Sequence, residues 1–282
     1  MREAVVVESS GESLPGDLLL PEHRGDERVP AIVLCHATGS RRSTDFEMSQ
    51  WLCDRGYAVL TFDWRGCVGD PSPRDLFPLR IAEDLRAGIS YLQTRVDIES
   101  DQIGILGRGL GGAFAVMAAA ADAGVAATIC FSGFGDFSRR TALVLGIDAW
   151  QQICTTDATT VNAAHLLGTH PVGVPAPNSF EFSIDSVRAL MDCRPEDVVG
   201  AIAPRPLLIV HAADDAMFPR SEAVSLYAKA SLGAELEFID TSDHMEMYPG
   251  ANPRVYEATM ARCDDFLRRH LRPIDARGSG RA

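Results

Sequence analysis

Stretches of strand character alternate with stretches of helical character along most of this 282-residue chain, and this alternation restricts the fold more than any other feature. The strand stretches are continuously apolar, as in PAIVLCHA (30–37) and YAVLTFDWRG (57–66), which is typical of strands buried on both faces of a sheet. Between them, stretches such as RIAEDLRAGISYLQTR (80–95) place apolar residues at helical spacing. The alternation predicts an α/β fold with a mostly parallel central sheet and helices on both of its faces.

The remaining segments continue this pattern, with one interruption. Further strands are predicted at 3–9 and 14–22, as an antiparallel hairpin, and at 101–107, 126–134, 205–215 and 234–244, with helices at 45–56, 112–124, 221–231 and 254–271. Between residues 136 and 199 the rhythm breaks, and helical pieces flank the turn-rich segment GTHPVGVPAPNSF. We therefore predict a core in two parts, 1–135 and 200–275, separated by a cap insertion at 136–199 and followed by a flexible tail at 276–282.

Composition and charge narrow the classes of partner. The net charge of −13 at pH 7 disfavours binding to a polyanion such as nucleic acid. No apolar stretch is long enough to span a bilayer and the N-terminus has no signal-peptide core, so we expect a cytoplasmic protein without a membrane partner. The seven cysteines form no C-x-x-C pair, which predicts neither a metal site nor a disulfide framework. The sequence is compatible with a homodimer as well as with a monomer.

A glycine-dense turn joins a predicted strand to a predicted helix in GILGRGLGGAFA (104–115). The turn satisfies G-x-G-x-x-G through Gly107, Gly109 and Gly112, an arrangement that places a dinucleotide pyrophosphate at a helix N-terminus. In that hypothesis an acidic residue about 20 positions further on binds the ribose, and Asp136 lies near this spacing. The same turn fits the G-x-S-x-G of a nucleophile elbow, with Gly109 at the position of the serine.

Four further segments lie at or directly after the ends of predicted strands. They are CHATG (35–39), DWRGCVGD (63–70), HAADDAMFP (211–219) and SDHMEMYP (242–249). Together with the glycine turn, and in this order, they resemble the α/β-hydrolase superfamily, especially its esterase, dienelactone-hydrolase and prolyl-peptidase-like branches. The resemblance runs from about residue 31 to residue 270 and implies the α/β-hydrolase fold. The dinucleotide hypothesis is disfavoured, because it explains neither the HATGS segment nor the pairing of Asp215 with His244.

The resemblance assigns a role to each part of the glycine turn. In the family the middle residue of the elbow is the nucleophile, usually serine, and here that position is Gly109. The elbow has strained dihedrals, and its flanking glycines allow a close approach of neighbouring backbone. The amide of Leu110 would donate to a developing oxyanion at the helix N-terminus. The second donor of the family's oxyanion hole matches the amide of Thr38, with Ala37 as the neighbouring alternative.

The resemblance also implies an acid and a base. HAADDAMFP matches the family pattern H-G-x-x-D-x-x-V-P, with Ala212 in place of glycine. The matching carboxylate is Asp215, with Asp214 as the adjacent alternative, and His244 follows the last predicted strand. The order of nucleophile, acid and histidine is that of the family. A carboxylate on one imidazole nitrogen fixes the tautomer and leaves the other nitrogen as a base, a mechanism that needs no cofactor.

Three residues near the elbow are candidate substrate contacts. Arg108 directly precedes Gly109, and Arg41 and Asp45 lie in the loop after Thr38. Each is equally compatible with a structural role, such as a salt bridge. His36, at the end of its strand, is predicted to be a structural hydrogen-bonding residue rather than a catalyst.

Glycine cannot attack a carbonyl group, so the covalent route is closed to the chain as it stands. One hypothesis is an esterase-type hydrolase (EC 3.1) or acyl transferase, disabled at position 109, that acts on the ester, thioester or amide of a small organic molecule. A second is a natural enzyme without the serine, in which the His244–Asp215 pair acts as a general base for hydrolysis, cyclisation, elimination or decarboxylation. A third is a non-catalytic protein that binds a small molecule.

Overall fold

The computed structural model describes residues 1–22, 27–38, 41–69, 71, 73–168, 180–241 and 243–272. Its strands are β1 (Arg2–Ser9), β2 (Glu12–Leu19), β3 (Val29–Cys35), β4 (Ala58–Phe62), β5 (Ile98–Arg108), β6 (Ala127–Phe131), β7 (Thr160–Asn162), β8 (Glu181–Ser183), β9 (Leu207–Ala212) and β10 (Ala234–Ile239). Its α-helices are α1 (Phe46–Cys53), α2 (Pro78–Gln93), α3 (Leu110–Ala121), α4 (Phe137–Leu145), α5 (Ile147–Thr155), α6 (Ala163–Leu167), α7 (Ile184–Met191), α8 (Arg220–Lys229) and α9 (Pro253–His270). Short 3-10 helices span Arg42–Asp45, Pro195–Asp197, Val199–Ile202 and His244–Met247.

Eight of these strands form one sheet in the order β1-β2-β4-β3-β5-β6-β9-β10. The hairpin β1–β2 and the pair β2–β4 are antiparallel, whereas every pair from β4 to β10 is parallel. Strands β3, β4, β6 and β9 are buried along their whole length, as expected for continuously apolar strands covered on both faces. The predicted fold class is therefore confirmed.

Helices cover both faces of the sheet, and the pleat of each strand divides its side chains between two cores. In β3, Val33 joins the core beneath α2 and α3, whereas Ile32 and Leu34 join the core beneath α1 and α9. The period of two in strand side chains accounts for this division. Within the described ranges, no helix is both long and apolar enough to cross a lipid bilayer.

The carboxyl ends of the parallel strands meet at one edge of the sheet, and the loops beyond them carry the candidate site. Cys35 of β3 pairs with Gly107 of β5, and Ala212 of β9 pairs with Ile239 of β10. The sequence predicted that the last two strands extend to residues 215 and 244, but sheet pairing stops at Ala212 and Ile239. Asp215 therefore lies in the loop after β9, and the loop after β10 leads to His244.

The segment between β6 and β9 contains helices α4 to α7 and the two-stranded antiparallel sheet β7–β8. Arg140 of α4 is fully buried and ties three parts of the chain together. Its guanidinium donates to the carbonyl oxygens of Leu166 (2.8 Å), Leu167 (2.6 Å) and Met217 (2.7 Å). The predicted cap insertion, residues 136–199, corresponds to this segment, and the boundaries of the cap remain a prediction. The predicted tail at 276–282 lies outside the described residues.

Candidate active site

A single glycine turns the chain from β5 into α3. Gly109 has φ +56° and ψ −125°, a backbone conformation that residues with a side chain rarely adopt and that glycine adopts without steric cost. The N–H of Gly109 donates to the carbonyl of Phe131 of β6 (2.9 Å), and its own carbonyl accepts from the N–H of Gly112 (3.0 Å). These bonds fix the turn at the carboxyl edge of the sheet.

Two flanking glycines are required by close backbone contacts. A Cβ atom on Gly107 would lie 2.0 Å from the carbonyl oxygen of Gly111, and a Cβ on Gly111 would lie 2.6 Å from that of His36. Both distances are far below van der Waals contact, and in each case the obstacle is backbone. The absence of a side chain at Gly107 therefore lets β5 approach the first turn of α3, and its absence at Gly111 lets α3 approach the end of β3.

Asp215 and His244, the predicted acid and base, are in contact. Asp215 Oδ2 lies 2.6 Å from His244 Nδ1, and Asp215 Oδ1 accepts from the N–H groups of Met217 (2.9 Å) and Phe218 (2.8 Å). Burial by itself raises the pKa of Asp215, but the hydrogen bond and charge of His244, together with the charge of His211 and the N–H of Phe218, outweigh it and hold this pKa below its usual range. The ionised carboxylate thus accepts from Nδ1–H, which leaves His244 Nε2 without a proton in the neutral ring. Asp214, the adjacent alternative, is solvent-exposed.

Two other histidines near the site are buried and structural. His36 Nδ1–H donates to the carbonyl of Ala37 (3.0 Å), and its ring stacks on Trp64 with the centroids 4.5 Å apart. Burial lowers the pKa of His36 to about 3. His211 Nε2–H donates to the carbonyl of Phe218 (2.7 Å), and burial lowers its pKa as well. Both rings are therefore neutral at physiological pH and support the loops that carry the candidate site.

A cavity of about 330 Å³ opens over the turn and the Asp215–His244 pair. Its described lining residues are Ala37, Thr38, Thr44, Arg108, Gly109, Leu110, Leu167, Met217, Phe218, His244, Met245, Tyr248 and Pro249. The wall supplied by Leu167, Met217 and Phe218 is apolar, whereas the floor carries polar groups. This combination is typical of a small-molecule site, in which apolar walls bury the ligand and a few polar groups orient it.

The two residues predicted to supply oxyanion donors both line this cavity. Leu110 is the first residue of α3, so its N–H has no partner within the helix. Thr38 is buried, and its carbonyl accepts from Arg74 Nη1 at 3.0 Å. That bond holds the backbone after β3 in place beside the turn. Ala37, the neighbouring alternative, lines the cavity too.

The three predicted substrate contacts differ in their placement. Arg108 lines the cavity but is almost fully buried, where its guanidinium pairs with Asp45 and lies over the ring of Tyr248. Asp45 is fully buried and is absent from the described lining of the cavity, as is the exposed Arg41. Burial raises the pKa of Asp45 to about 6, against the opposing charge of Arg108. Asp45 therefore positions Arg108 rather than facing the cavity.

Tyr248 is a site residue that the sequence did not predict. Its hydroxyl lies 3.0 Å from His244 Nε2, the nitrogen that faces the cavity. It is also the atom nearest to the Cβ that a side chain at Gly109 would have, at 3.6 Å. Tyr248 lies four residues after His244 in SDHMEMYP. This short spacing is the sequence feature that could have predicted a contact between the two side chains.

Comparison with known proteins agrees with this fold. The model of the "Alpha/beta hydrolase family" matches residues 32–259. The uncharacterized protein YfhR of Salmonella typhimurium is 23% identical over 240 residues, covering 84% of this chain and 72% of the relative. The 2,6-dihydropseudooxynicotine hydrolase of Paenarthrobacter nicotinovorans is 34% identical over 140 residues, covering 48% of this chain and 35% of the relative.

A solved structure extends the likeness to the whole fold. The alpha/beta hydrolase GrgF from Penicillium sp. sh18 superposes with a TM-score of 0.77 at 21% identity, covering 96% of this chain and 99% of that one. The family match over residues 32–259 includes the glycine turn, Asp215 and His244. This chain belongs to the α/β hydrolase family.

Proposed function

We propose that this protein hydrolyses the ester, thioester or amide of a small organic molecule by general-base activation of water, without an acyl-enzyme intermediate. One observation carries the proposal. His244, joined to Asp215 at 2.6 Å, lines a cavity directly beside Gly109, where the chain offers no hydroxyl for covalent attack. An oriented imidazole beside a cavity is the arrangement that general-base catalysis requires.

The proposed reaction uses groups that border this cavity. His244 serves as the base that finally receives a proton from water, and the resulting hydroxide forms a bond to the carbonyl carbon. Asp215 stabilises the imidazolium that results. The negative charge that develops on the carbonyl oxygen accepts hydrogen bonds from the N–H groups of Leu110 and Thr38. When the tetrahedral intermediate collapses, the bond to the leaving group breaks and that group takes the proton from His244.

The cavity supports a substrate of modest size. A volume of about 330 Å³ is at the lower end of the range for small-molecule sites, roughly 300–1,000 Å³. Its apolar wall of Leu167, Met217 and Phe218 favours an apolar acyl or leaving group. The relative from Paenarthrobacter nicotinovorans is named as a hydrolase, which supports a hydrolytic reaction for this chain.

The proposal is tested with a panel of short-chain aryl esters and thioesters. We expect turnover by the chain with Gly109, and a loss of about 10²–10⁴-fold in kcat/KM for His244→Ala, because the general base is removed. His270→Ala, at the exposed end of α9, is the matched control and should leave kcat/KM unchanged. If the wild type turns over no member of the panel, or if both histidine variants behave alike, the proposal is wrong.

A second candidate is favoured by the space at the turn. A Cβ on Gly109 would lie 3.6 Å from the Tyr248 hydroxyl, 3.8 Å from Ala37 Cβ and 3.9 Å from His244 Nε2, all ordinary contact distances. A serine would fit there at the cost of a strained backbone, about 1–3 kcal/mol, as in the elbow of the family. Gly109→Ser tests this candidate: turnover in the serine form alone would indicate a serine hydrolase that lacks its nucleophile here.

A further inference from the structure

The hydroxyl of Tyr248 is hydrogen-bonded to His244 Nε2, the nitrogen to which a family nucleophile would bond. It lies 3.0 Å from His244 Nε2 and 3.6 Å from the Cβ position at Gly109. The side chain is 5% exposed and lines the cavity. Along the chain of contacts, Asp215, His244 and Tyr248 are joined by two successive hydrogen bonds, of 2.6 Å and 3.0 Å.

The direction of these bonds follows from the donors available. His244 Nδ1–H donates to the ionised Asp215, so Nε2 carries the single lone pair of the neutral ring. Burial raises the pKa of Tyr248, which keeps its hydroxyl protonated at neutral pH. The Tyr248 O–H therefore donates to Nε2. A water molecule in the cavity cannot use the same lone pair, but it can donate to the oxygen of Tyr248, which remains an acceptor.

We propose that Tyr248 is a further catalytic residue, whose hydroxyl relays the proton between the attacking water and His244; this inference rests on the proposed function. As water gives a proton to Tyr248 Oη, the original Tyr248 proton passes to His244 Nε2. One O–H bond of water breaks, the phenol is neutral before and after, and the imidazolium forms against Asp215. The hydroxide adds to the carbonyl carbon, and the leaving group later receives the proton by the reverse route.

The surroundings of Tyr248 suit a relay. The Tyr248 N–H donates to the carbonyl of Met245 (3.0 Å), and its ring packs at a tilt on Phe131 with the centroids 5.3 Å apart. These contacts fix the hydroxyl. The Arg108 guanidinium carbon lies 4.8 Å from the centre of the Tyr248 ring, and Asp45 holds that guanidinium in place. A cation over the ring stabilises the negative charge that the phenol oxygen carries while both protons are in transit.

The decisive variant is Tyr248→Phe, which removes the hydroxyl and keeps the ring. In the ester panel we expect kcat to fall by at least about 10²-fold with KM changed less than about twofold, because the proton transfer is lost while binding is kept. Tyr256→Phe is the matched control. Tyr256 is equally buried, and its hydroxyl has no hydrogen-bond partner within the described part of the chain. Its removal should change neither constant.

The alternative is that Tyr248 merely fills the place of an absent serine. In that case Tyr248→Phe frees His244 Nε2 to accept from water directly, and kcat is kept or raised; this result would overturn the inference while the loss of activity in His244→Ala still supports the proposed function. A wild type without turnover would instead overturn the proposed function, and the relay with it.

A measurement without substrate tests the underlying contact. The ¹⁵N NMR signal of His244 Nε2, assigned with His244→Ala, should move towards the value of a free lone pair in Tyr248→Phe and stay in place in Tyr256→Phe. An unchanged signal in Tyr248→Phe would contradict the hydrogen bond and therefore the relay.

Discussion

His36 links the stability of this protein to pH. The ring is fully buried, stacks on Trp64 and donates through Nδ1 to the carbonyl of Ala37. Because burial lowers its pKa from 6.5 to about 3, the folded state binds fewer protons than the unfolded state between these two values. Stability contributed by the neutral ring is therefore present above pH 6.5 and is lost as the pH falls towards 3. The variant that removes this effect is His36→Asn, which keeps an N–H donor and does not titrate.

The size of the effect follows from the two pKa values of His36. At a pH of about 4.5 the unfolded histidine is nearly fully protonated and the folded one is not, a difference equivalent to about 2 pKa units. At 1.36 kcal/mol per unit this lowers the stability of the wild type by about 3 kcal/mol, whereas the loss at a pH of about 7 is well under about 1 kcal/mol. Between these pH values the wild type should lose about 2–3 kcal/mol more stability than His36→Asn.

Urea unfolding at both pH values, followed by tryptophan fluorescence, measures this difference. The variant also loses the packing of the imidazole, but that loss is the same at both pH values and cancels. The buried His211 is present in both proteins and cancels too. His270→Asn, at the exposed end of α9, is the control: partial burial lowers the pKa of His270 too, but solvent screens this exposed ring, so the variant should deviate from the wild type far less than His36→Asn does. Parallel pH dependences of the wild type and His36→Asn would refute the reasoning.

Two further substitutions test contacts around the turn. Asp45→Asn leaves the buried guanidinium of Arg108 without its anionic partner, and we expect a loss of about 3–5 kcal/mol in the free energy of unfolding. Asp185→Asn breaks an exposed pair and should cost less than about 0.5 kcal/mol; equal losses would contradict the importance of the buried pair. Gly107→Ala brings a Cβ to 2.0 Å from backbone and should cost about 2–3 kcal/mol in the same urea experiment. Gly200→Ala meets its nearest atom at 3.5 Å and should be tolerated, and an equal tolerance at Gly107 would show that the turn can relax.

The sequence predicted those parts of the fold and site that depend on local pattern and strand order. Continuously apolar stretches gave the buried parallel strands, because a strand covered on both faces has no polar side. The pairing of Asp215 with His244 was predicted from the resemblance to the α/β-hydrolase superfamily. In the structure the two residues meet because they follow β9 and β10, neighbouring parallel strands that end at one edge of the sheet. The lengths of those two strands were overestimated. Sheet pairing ends at Ala212 and Ile239, but the pattern of apolar and polar residues does not change clearly at either position.

Other features of the site depend on contacts that the sequence pattern does not contain. For Asp45 the sequence left a substrate contact and a salt bridge equally open, because the pattern does not show that folding brings this residue to Arg108, 63 positions away along the chain. Tyr248 follows His244 closely, yet its hydroxyl reaches Nε2 only because the intervening turn is a 3-10 helix.

The small sheet β7–β8 was not predicted from the sequence. Each of its strands has three residues, which is too short for an alternation of apolar and polar positions to be recognised.

Arg140 supports both the apolar wall of the cavity and the loop after β9 that carries Asp215. The guanidinium stays protonated at neutral pH, although burial lowers its pKa to about 10. It bonds at once to the carbonyl of Leu167, whose residue lines the cavity, and to that of Met217, whose N–H binds the Asp215 carboxylate. One rigid plane thus holds both the cavity wall at Leu167 and the loop that positions the Asp215 carboxylate, so the shape of the cavity and the placement of Asp215 depend on the same side chain.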